Sequence, residues 1–228
     1  MAKSATAPGF DLLRNERLLA LLDHPALFNL SQLLISGGQR STKRWAKAWL
    51  NARPEDRILD VGCGTGEFAP LFRSGKWEVG SGNGEGARYL GVDLNAQYIE
   101  YARERYGGAG VAFEVVDATR MSFAAQSFDR ALFVNCMHHF SDDLNRGILR
   151  EVARVLRPGG RFVLIDMVGD HSGHAQRFFL DRDRGEHLRS LASQKSLVAE
   201  FFTIEREETF DAGFTPQTII AARPKRVG

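Results

Sequence analysis

The sequence has little of several features that mark particular classes of protein. Its 228 residues include only two cysteines, Cys63 and Cys136, which are too few for a disulfide framework. Its charge is nearly balanced, with 30 Lys and Arg against 28 Asp and Glu, so it lacks the positive excess typical of nucleic-acid-binding proteins. We therefore expect neither a disulfide-rich secreted domain nor a partner of DNA or RNA.

Long apolar runs and a targeting segment are also missing. The longest apolar runs, such as residues 18–22, are far shorter than the roughly 20 residues that span a bilayer. Residues 1–11 lack the basic start and apolar middle of a secretory signal. The composition, 43% hydrophobic and 25% charged, is that of a folded globular protein. We expect a cytoplasmic protein with no membrane-embedded part.

The spacing of apolar residues changes along the chain. Leucines at near-helical spacing predict helices over residues 11–52, the last with Ser41 as its N-cap. From Arg57 onward, continuous apolar runs alternate with amphipathic helices and predict five buried strands: Ile58–Val61, Tyr89–Val92, Val111–Val116, Ala131–Val134 and Phe162–Ile165. This alternation predicts a doubly wound, Rossmann-like α/β sheet.

Two further strand-like runs, around residues 203–205 and 218–221, bring the predicted sheet to seven strands. We expect four parts: an N-terminal helical cap (1–52), an α/β core (53–170), a cap or lid insertion (171–201) and C-terminal strands (202–228). The clearest core helix is predicted to begin near Ser141, to end before Pro158 and to bury one face made of Leu144, Ile148, Val152, Val155 and Leu156.

A glycine-rich loop follows the first predicted strand and is predicted to open a helix. In Asp60-Val61-Gly62-Cys63-Gly64-Thr65-Gly66 the glycines let the backbone bend sharply and approach a ligand. A dinucleotide fingerprint needs a third glycine where Glu67 stands. A nucleoside-triphosphate loop needs Gly-Lys-Ser/Thr, but Gly75-Lys76 is followed by Trp77. The pattern that remains is Gly-x-Gly-x-Gly with an acidic residue two positions before the first glycine.

Residues 56–166 resemble the class I S-adenosylmethionine-dependent methyltransferases. The resemblance rests on motifs in the family's order: the glycine loop, Gly91-Val92-Asp93-Leu94, Asp117-Ala118, Ser127-Phe128-Asp129, the segment Asn135 to Phe140, and Arg154-Val155-Leu156-Arg157-Pro158-Gly159-Gly160. It implies S-adenosylmethionine as the cofactor and methyl transfer as the activity. It also implies that the first and fourth strands are neighbours, which would bring Cys63 and Cys136 close together beside the cofactor without a disulfide.

The resemblance further implies which residues bind the cofactor. The glycine loop wraps its methionine part, Asp93 accepts the ribose hydroxyls, Leu94 lies against the adenine, and Asp117 with Ala118 reads the adenine edge. The expected set is Asp60, Gly62, Cys63, Gly64, Thr65, Gly66, Asp93, Leu94, Asp117, Ala118 and Asn135. Between Gly66 and Asp93 the chain is longer than the usual interval of about 20 residues, which we interpret as a surface insertion at Gly80–Gly86.

Substrate chemistry should lie at the end of the fourth strand, in Asn135-Cys136-Met137-His138-His139. This segment lacks the Asn/Asp-Pro-Pro-aromatic motif of enzymes that methylate an exocyclic base amine. Alignment supplies most of the catalysis of methyl transfer, and His138 or His139 is a candidate proton acceptor. In the small-molecule enzymes that this segment resembles, the second histidine commonly supports the loop. No metal is expected, because His171, His174 and His187 lack a fourth ligand and tight spacing.

We therefore expect O-, N- or C-methylation of a small or medium-sized organic acceptor. Two alternatives stay open. The first is RNA or protein methylation, which is supported by a basic stretch made of Arg40, Lys43, Arg44, Lys47, Arg53 and Arg57. The second is a non-catalytic module that binds the cofactor. The oligomeric state is not predicted.

Overall fold

A computed structural model describes residues 39–72, 88–170, 187–213 and 215–225. Within these residues, four α-helices flank one sheet of seven strands. The helices are α1 (Arg40–Leu50), α2 (Ala96–Tyr106), α3 (Asp142–Val155) and α4 (Leu191–Phe201). The strands are β1 (Ile58–Val61), β2 (Tyr89–Asp93), β3 (Val111–Val115), β4 (Phe128–Val134), β5 (Leu156–Met167), β6 (Phe202–Ala212) and β7 (Thr215–Pro224).

The strand order is β3-β2-β1-β4-β5-β7-β6. Strands β1 to β5 are parallel, whereas β7 runs antiparallel to both β5 and β6. The order reverses between β1 and β4, and in open α/β sheets ligands bind at such a switch point, beyond the carboxyl ends of the strands. The predicted doubly wound, seven-stranded α/β fold is confirmed, and β1 and β4 are neighbours.

Apolar side chains fill both faces of the sheet. On one face Leu59 and Val61 of β1 pack in a cluster with Val152 of α3 and Leu197 of α4. On the other face Ile58 lies in a second cluster that contains residues of α1 and α2, among them Trp49 and Ile99. Burial of both faces explains why the parallel strands are almost continuously apolar in sequence. The sheet is therefore a rigid base for the loops at its carboxyl edge.

Several local predictions were wrong. Helix α1 begins at Arg40, so Ser41 lies inside its first turn, and Gln39 occupies the N-cap with a left-handed φ of 59°. Leu144, expected in the core, is 47% exposed because it lies in the first turn of α3, ahead of the turns that pack on the sheet. Leu156 begins β5 instead of ending α3.

The glycine loop also differs from its prediction, because a 3-10 helix, Ala69–Leu71, follows it instead of an α-helix within the described residues. By contrast, Ser141 caps α3 as predicted by accepting a hydrogen bond from the Leu144 backbone N–H. The Gly80–Gly86 insertion, most of the N-terminal cap and residues 171–186 of the lid lie outside the described residues, so the four-part division stays a prediction. No helix of the described part is long and apolar enough to cross a membrane.

Candidate functional site

The glycine loop lies at the carboxyl end of β1, beside the switch point. Gly62, Gly64 and Gly66 have φ values of 65°, 52° and 80°, in the left-handed region that favours glycine. A Cβ at Gly62 would come within 2.4 Å of Cys136 Sγ, and one at Gly66 within 2.8 Å of the Phe113 ring. A Cβ at Gly64 would meet nothing within 4 Å. Two of the glycines therefore permit close packing, while the backbone at Gly64 is open for a ligand.

Asp93 ends β2 and faces this loop. Its Oδ2 accepts a hydrogen bond from the Gly64 backbone N–H at 2.9 Å, and its Oδ1 accepts one from the Asn95 N–H at 2.9 Å. Burial raises the pKa of the Asp93 carboxyl, and these backbone hydrogen bonds offset part of the rise. A carboxylate has about four acceptor positions, so Asp93 can also accept hydrogen bonds from two neighbouring hydroxyls.

The next features along this edge are an exposed apolar side chain and an exposed carboxylate. Leu94, directly after β2, is 72% exposed. Asp117 follows the neighbouring strand β3 and is also exposed, with Ala118 half-buried. Hydrogen bonds from the Thr119 hydroxyl and backbone N–H, at 2.6 and 2.9 Å, lower the pKa of Asp117. An apolar surface beside an acceptor suits a purine ring that carries an amino group. These residues, with the open backbone at Gly64, fit S-adenosylmethionine.

Asp60 and Thr65, expected among the cofactor ligands, are only 1% and 2% exposed. The Tyr89 hydroxyl donates a hydrogen bond to the Asp60 carboxyl. Burial raises the pKa of Asp60 to about 7, although the Tyr89 hydrogen bond opposes the rise. Both side chains are therefore enclosed by protein in this structure.

Cys63 and Cys136 lie on neighbouring segments because β1 pairs with β4. Both are free thiols, Cys63 buried and Cys136 half-buried, and Cys136 Sγ is 3.4 Å from the Gly62 carbonyl oxygen. Burial raises the pKa of each thiol well above its ordinary value. In this state neither cysteine is a ready nucleophile, since thiols react as thiolates.

The two histidines after β4 have different surroundings. His138 is 3% exposed, its Nδ1 is hydrogen-bonded to the carboxylate of Asp166, and its backbone N–H donates to Asp166 Oδ2 at 2.9 Å. His139 is exposed, and the two imidazole centroids are 4.0 Å apart. Asp166 occupies the neighbouring strand β5, which explains why the first histidine, rather than the second, holds the loop.

Two further side chains, absent from the sequence prediction, fix residues 137–140. Arg189 is 8% exposed and donates to the carbonyl oxygens of Met137 and Phe140 at 2.9 and 2.7 Å, and to Asp142 at 2.7 Å. Asn145 donates to the same two carbonyl oxygens at 3.0 and 2.9 Å. Residues Met137–His139 form a short 3-10 helix. Three polar side chains, those of Asp166, Arg189 and Asn145, hydrogen-bond to its backbone or to that of Phe140 directly after it, so this backbone is tightly positioned.

Asn135 joins β4 to that helix and has a left-handed φ of 52°, which is uncommon for a residue other than glycine. Its side-chain oxygen accepts a hydrogen bond from Gln217 of β7 at 2.8 Å. Gln217 in turn accepts one from the Thr42 hydroxyl of α1, also at 2.8 Å. Gln217 and Thr42 are buried, so a polar chain from two distant segments supports the turn at Asn135.

His187 donates its backbone N–H to the His138 carbonyl oxygen at 3.0 Å. His171 and His174, weighed as metal ligands with it, lie outside the described residues. The described residues contain no group of three or more His, Cys, Asp or Glu side chains placed to hold a metal ion.

Comparison with known proteins agrees with this arrangement. Residues 58–160 match a family model described as a methyltransferase domain. A 2-phytyl-1,4-naphtoquinone methyltransferase of Synechococcus elongatus is 30% identical over 197 residues, which cover 83% of this chain and 79% of that protein. An O-methyltransferase of Penicillium expansum is 36% identical over 120 residues, or 51% of this chain and 40% of that protein.

Two solved structures share the fold. The PH0226 protein of Pyrococcus horikoshii has 22% identity and a TM-score of 0.60, with 96% of this chain and 97% of that one covered. A geranyl diphosphate C-methyltransferase of Streptomyces coelicolor, solved with S-adenosyl-L-homocysteine, has 16% identity and a TM-score of 0.64, with coverage of 81% and 78%. The chain spans less than half the length of several curated relatives it matches. By the family model, the Synechococcus relative and the fold together, the chain belongs to the class I S-adenosylmethionine-dependent methyltransferases.

Proposed function

We propose that the protein transfers a methyl group from S-adenosylmethionine to a small or medium-sized organic acceptor. The observation that carries this proposal is the carboxyl edge of β1 and β2, where Asp93 is hydrogen-bonded to Gly64 beside exposed Leu94. The names of several relatives support an acceptor of this size, because they include quinone, rifamycin and fatty-acid methyltransferases. The two free thiols fit a reducing compartment, so we place the activity in the cytoplasm.

The described residues divide into those that would touch the cofactor and those that would support them. Asp93 accepts the ribose hydroxyls, Leu94 packs on the adenine, and Asp117 with Ala118 binds the adenine edge. The backbone at Gly64 and the turn at Asn135 lie around the methionine part. Asp60, Thr65 and the cysteines hold the loop from beneath. When bound, S-adenosylmethionine supplies a methyl group that is already activated by the sulfonium.

Catalysis rests first on alignment, because positioning alone removes most of the barrier of a reaction whose electrophile is already activated. Where the acceptor is a hydroxyl, His139 takes the proton that the oxygen loses as it is methylated. His139 is suited to this because its imidazole is exposed, whereas His138 is buried against Asp166. His138 is a positioning residue that fixes the backbone on which His139 is carried.

Calorimetric titration of Asp93→Ala with S-adenosylmethionine and S-adenosylhomocysteine tests the cofactor site. We expect binding to weaken at least tenfold, since a hydrogen bond to a charged group contributes about 1.5–3 kcal/mol. Glu67→Ala is the matched control, because Glu67 is engaged by Lys43 at 2.7 Å and Tyr106 at 2.6 Å. Equal affinities for the two variants would remove Asp93 from the site.

Incubation with metabolite extracts and S-adenosylmethionine, followed by mass spectrometry, tests the reaction. The expected result is a small molecule that gains one methyl group. With that acceptor at saturating concentration, His139→Gln should lower the rate more than Arg150→Gln, which changes an exposed control position on α3. His139→Gln should also remove the rise of the rate with pH that accompanies deprotonation of the imidazole. An unchanged pH profile would mean that alignment alone carries the reaction.

The alternatives give different results in the same experiments. A non-catalytic module would bind S-adenosylhomocysteine but methylate nothing in the extracts. An RNA acceptor would bind with an affinity that falls steeply with salt, whereas a small apolar acceptor would be nearly indifferent to salt. The structure favours the small acceptor, because Lys43 of the basic stretch is already paired with Glu67.

A further inference from the structure

A cavity lies at the edge of the sheet opposite to the glycine loop. It is bounded by the chain after α1, the beginnings of β4 and β5, and the end of β7, and its volume is about 380 Å³. Strand β4 begins at this edge and ends at the candidate active site, so its seven residues separate the two by about 20 Å. The cavity is thus separate from the candidate active site, and the proposed methyl transfer involves none of the residues at this edge.

Positive charge is concentrated in the lining of this cavity. Five arginines contribute to it, drawn from four separate segments of the chain: Arg53, Arg130, Arg157, Arg161 and Arg223. The whole chain carries a net charge of only +2, so this grouping is local and does not reflect a basic protein. Like charges repel, and their assembly needs compensation from carboxylates or from a bound anion.

Carboxylates hold four of these arginines and leave part of the charge uncompensated. Asp56 pairs with Arg130 at 2.9 Å, and Asp129 pairs with Arg157 at 2.6 Å. Glu205 pairs with both Arg161 and Arg223. Three carboxylates therefore face five guanidinium groups, which leaves an excess of two positive charges. Each guanidinium has five N–H donors, of which one carboxylate can use two.

Two of the arginines have donors without acceptors. The Nε of Arg130 is buried and has no hydrogen-bond partner in the described part of the chain. The side chain of Arg53 is exposed at the rim, and no hydrogen bond or ion pair of its guanidinium is found among the described residues. The Nε of Arg130 is enclosed by protein, so the donors open to a bound anion are the guanidinium of Arg53 and the N–H groups of Arg157 that Asp129 does not use.

We propose that the cavity binds a compact phosphate-type anion, namely the diphosphate group of a small molecule. The planar guanidinium fork matches the oxygen geometry of phosphate, and an excess of two positive charges suits a ligand with at least two negative ones. The volume lies in the range of small-molecule sites. Because the arginines converge on a cavity rather than forming a long stripe, a small anion fits better than a nucleic acid.

Calorimetric titration with inorganic pyrophosphate, at constant ionic strength, tests the proposal. We expect one pyrophosphate per chain and roughly tenfold weaker binding of inorganic phosphate, which can engage fewer guanidinium groups. Arg53→Gln and Arg157→Gln should each weaken pyrophosphate binding about tenfold. Both side chains are solvent-exposed, and Asp129 keeps its hydrogen bond from the Arg57 backbone N–H when Arg157 is replaced.

Arg44→Gln is the matched control, because it removes the same charge from an exposed position on α1 that does not line the cavity. It should leave the affinity for pyrophosphate unchanged. All three variants should bind S-adenosylhomocysteine like the parent protein, which separates this proposal from the proposed function and shows that the fold is intact.

Three outcomes would overturn the proposal. One is the absence of pyrophosphate binding by the parent protein. Another is an equal loss of affinity in Arg44→Gln and Arg53→Gln, which would show that only the net charge matters. The third is displacement of pyrophosphate by a single-stranded oligonucleotide that binds more tightly, which would assign this surface to nucleic acid.

Discussion

Ionisation of Asp60 should make the protein less stable as the pH rises. The carboxyl is buried beneath the glycine loop, and burial raises its pKa from 3.8 to about 7. Below pH 3.8 the group is protonated in both the folded and the unfolded chain. Between that pH and about 7 only the folded chain keeps the proton, so the free energy of unfolding falls across this window. At about 1.36 kcal/mol per pH unit, the loss is about 4 kcal/mol.

Asp60→Asn tests this reasoning, since asparagine still offers an oxygen to the Tyr89 hydroxyl but cannot ionise. We expect urea unfolding at pH 4 and pH 8 to show that the variant gains about 4 kcal/mol relative to the parent protein between the two conditions. Asp117→Asn is the control with the opposite sign, because the pKa of this exposed carboxyl is lowered. Parallel pH profiles for the parent protein and Asp60→Asn would refute the assignment of a buried, protonated acid.

Three further predictions follow from the contacts of the site. Gly62→Ala should destabilise the protein by at least about 1 kcal/mol in urea unfolding, because its Cβ would come within 2.4 Å of Cys136 Sγ at a left-handed φ; unchanged stability would contradict this. Arg189→Met should lower methyl turnover at least tenfold while calorimetry shows unchanged S-adenosylhomocysteine binding, since the substitution removes the support of the loop that carries the histidines and leaves Asp93 unchanged. Thiol labelling of Cys63 and Cys136 should be slow and become slower with saturating S-adenosylhomocysteine; equal rates with and without it would place both cysteines away from the cofactor.

The sheet and the cofactor edge could be predicted because their signals are local. A strand buried on both faces is almost continuously apolar, and β1 begins and ends where the sequence pattern placed it. Asp93 ends β2 and Asp117 lies two residues after β3, so their position at the carboxyl edge follows from the parallel arrangement. The errors at Ser41 and Leu144 fall in the first turns of helices, where the apolar pattern of the sequence fixes neither the helix boundary nor the burial of a residue.

The supports of the active-site loop could not be predicted, because they come from distant segments without a motif. Arg189 reaches the loop across 52 positions of sequence, and nothing in its neighbourhood marks it as buried. Asp166 could have been found, since it lies near the end of β5 as Asp93 lies at the end of β2. Its partner could not, because only the packing shows that His138 turns inward and His139 outward.

The hydrogen-bonded chain from Thr42 through Gln217 to Asn135 affects the stage of folding at which the protein can first bind its cofactor. Thr42 and Gln217 are 175 positions apart, so their contact closes one of the longest loops in the molecule and is costly in entropy until the intervening sheet exists. The region that defines the family, residues 58–160, includes Asn135 but neither of its supports. We expect a nascent chain to assemble β1 to β5 first and to complete its cofactor pocket only after β7 has been synthesised and has inserted beside β5.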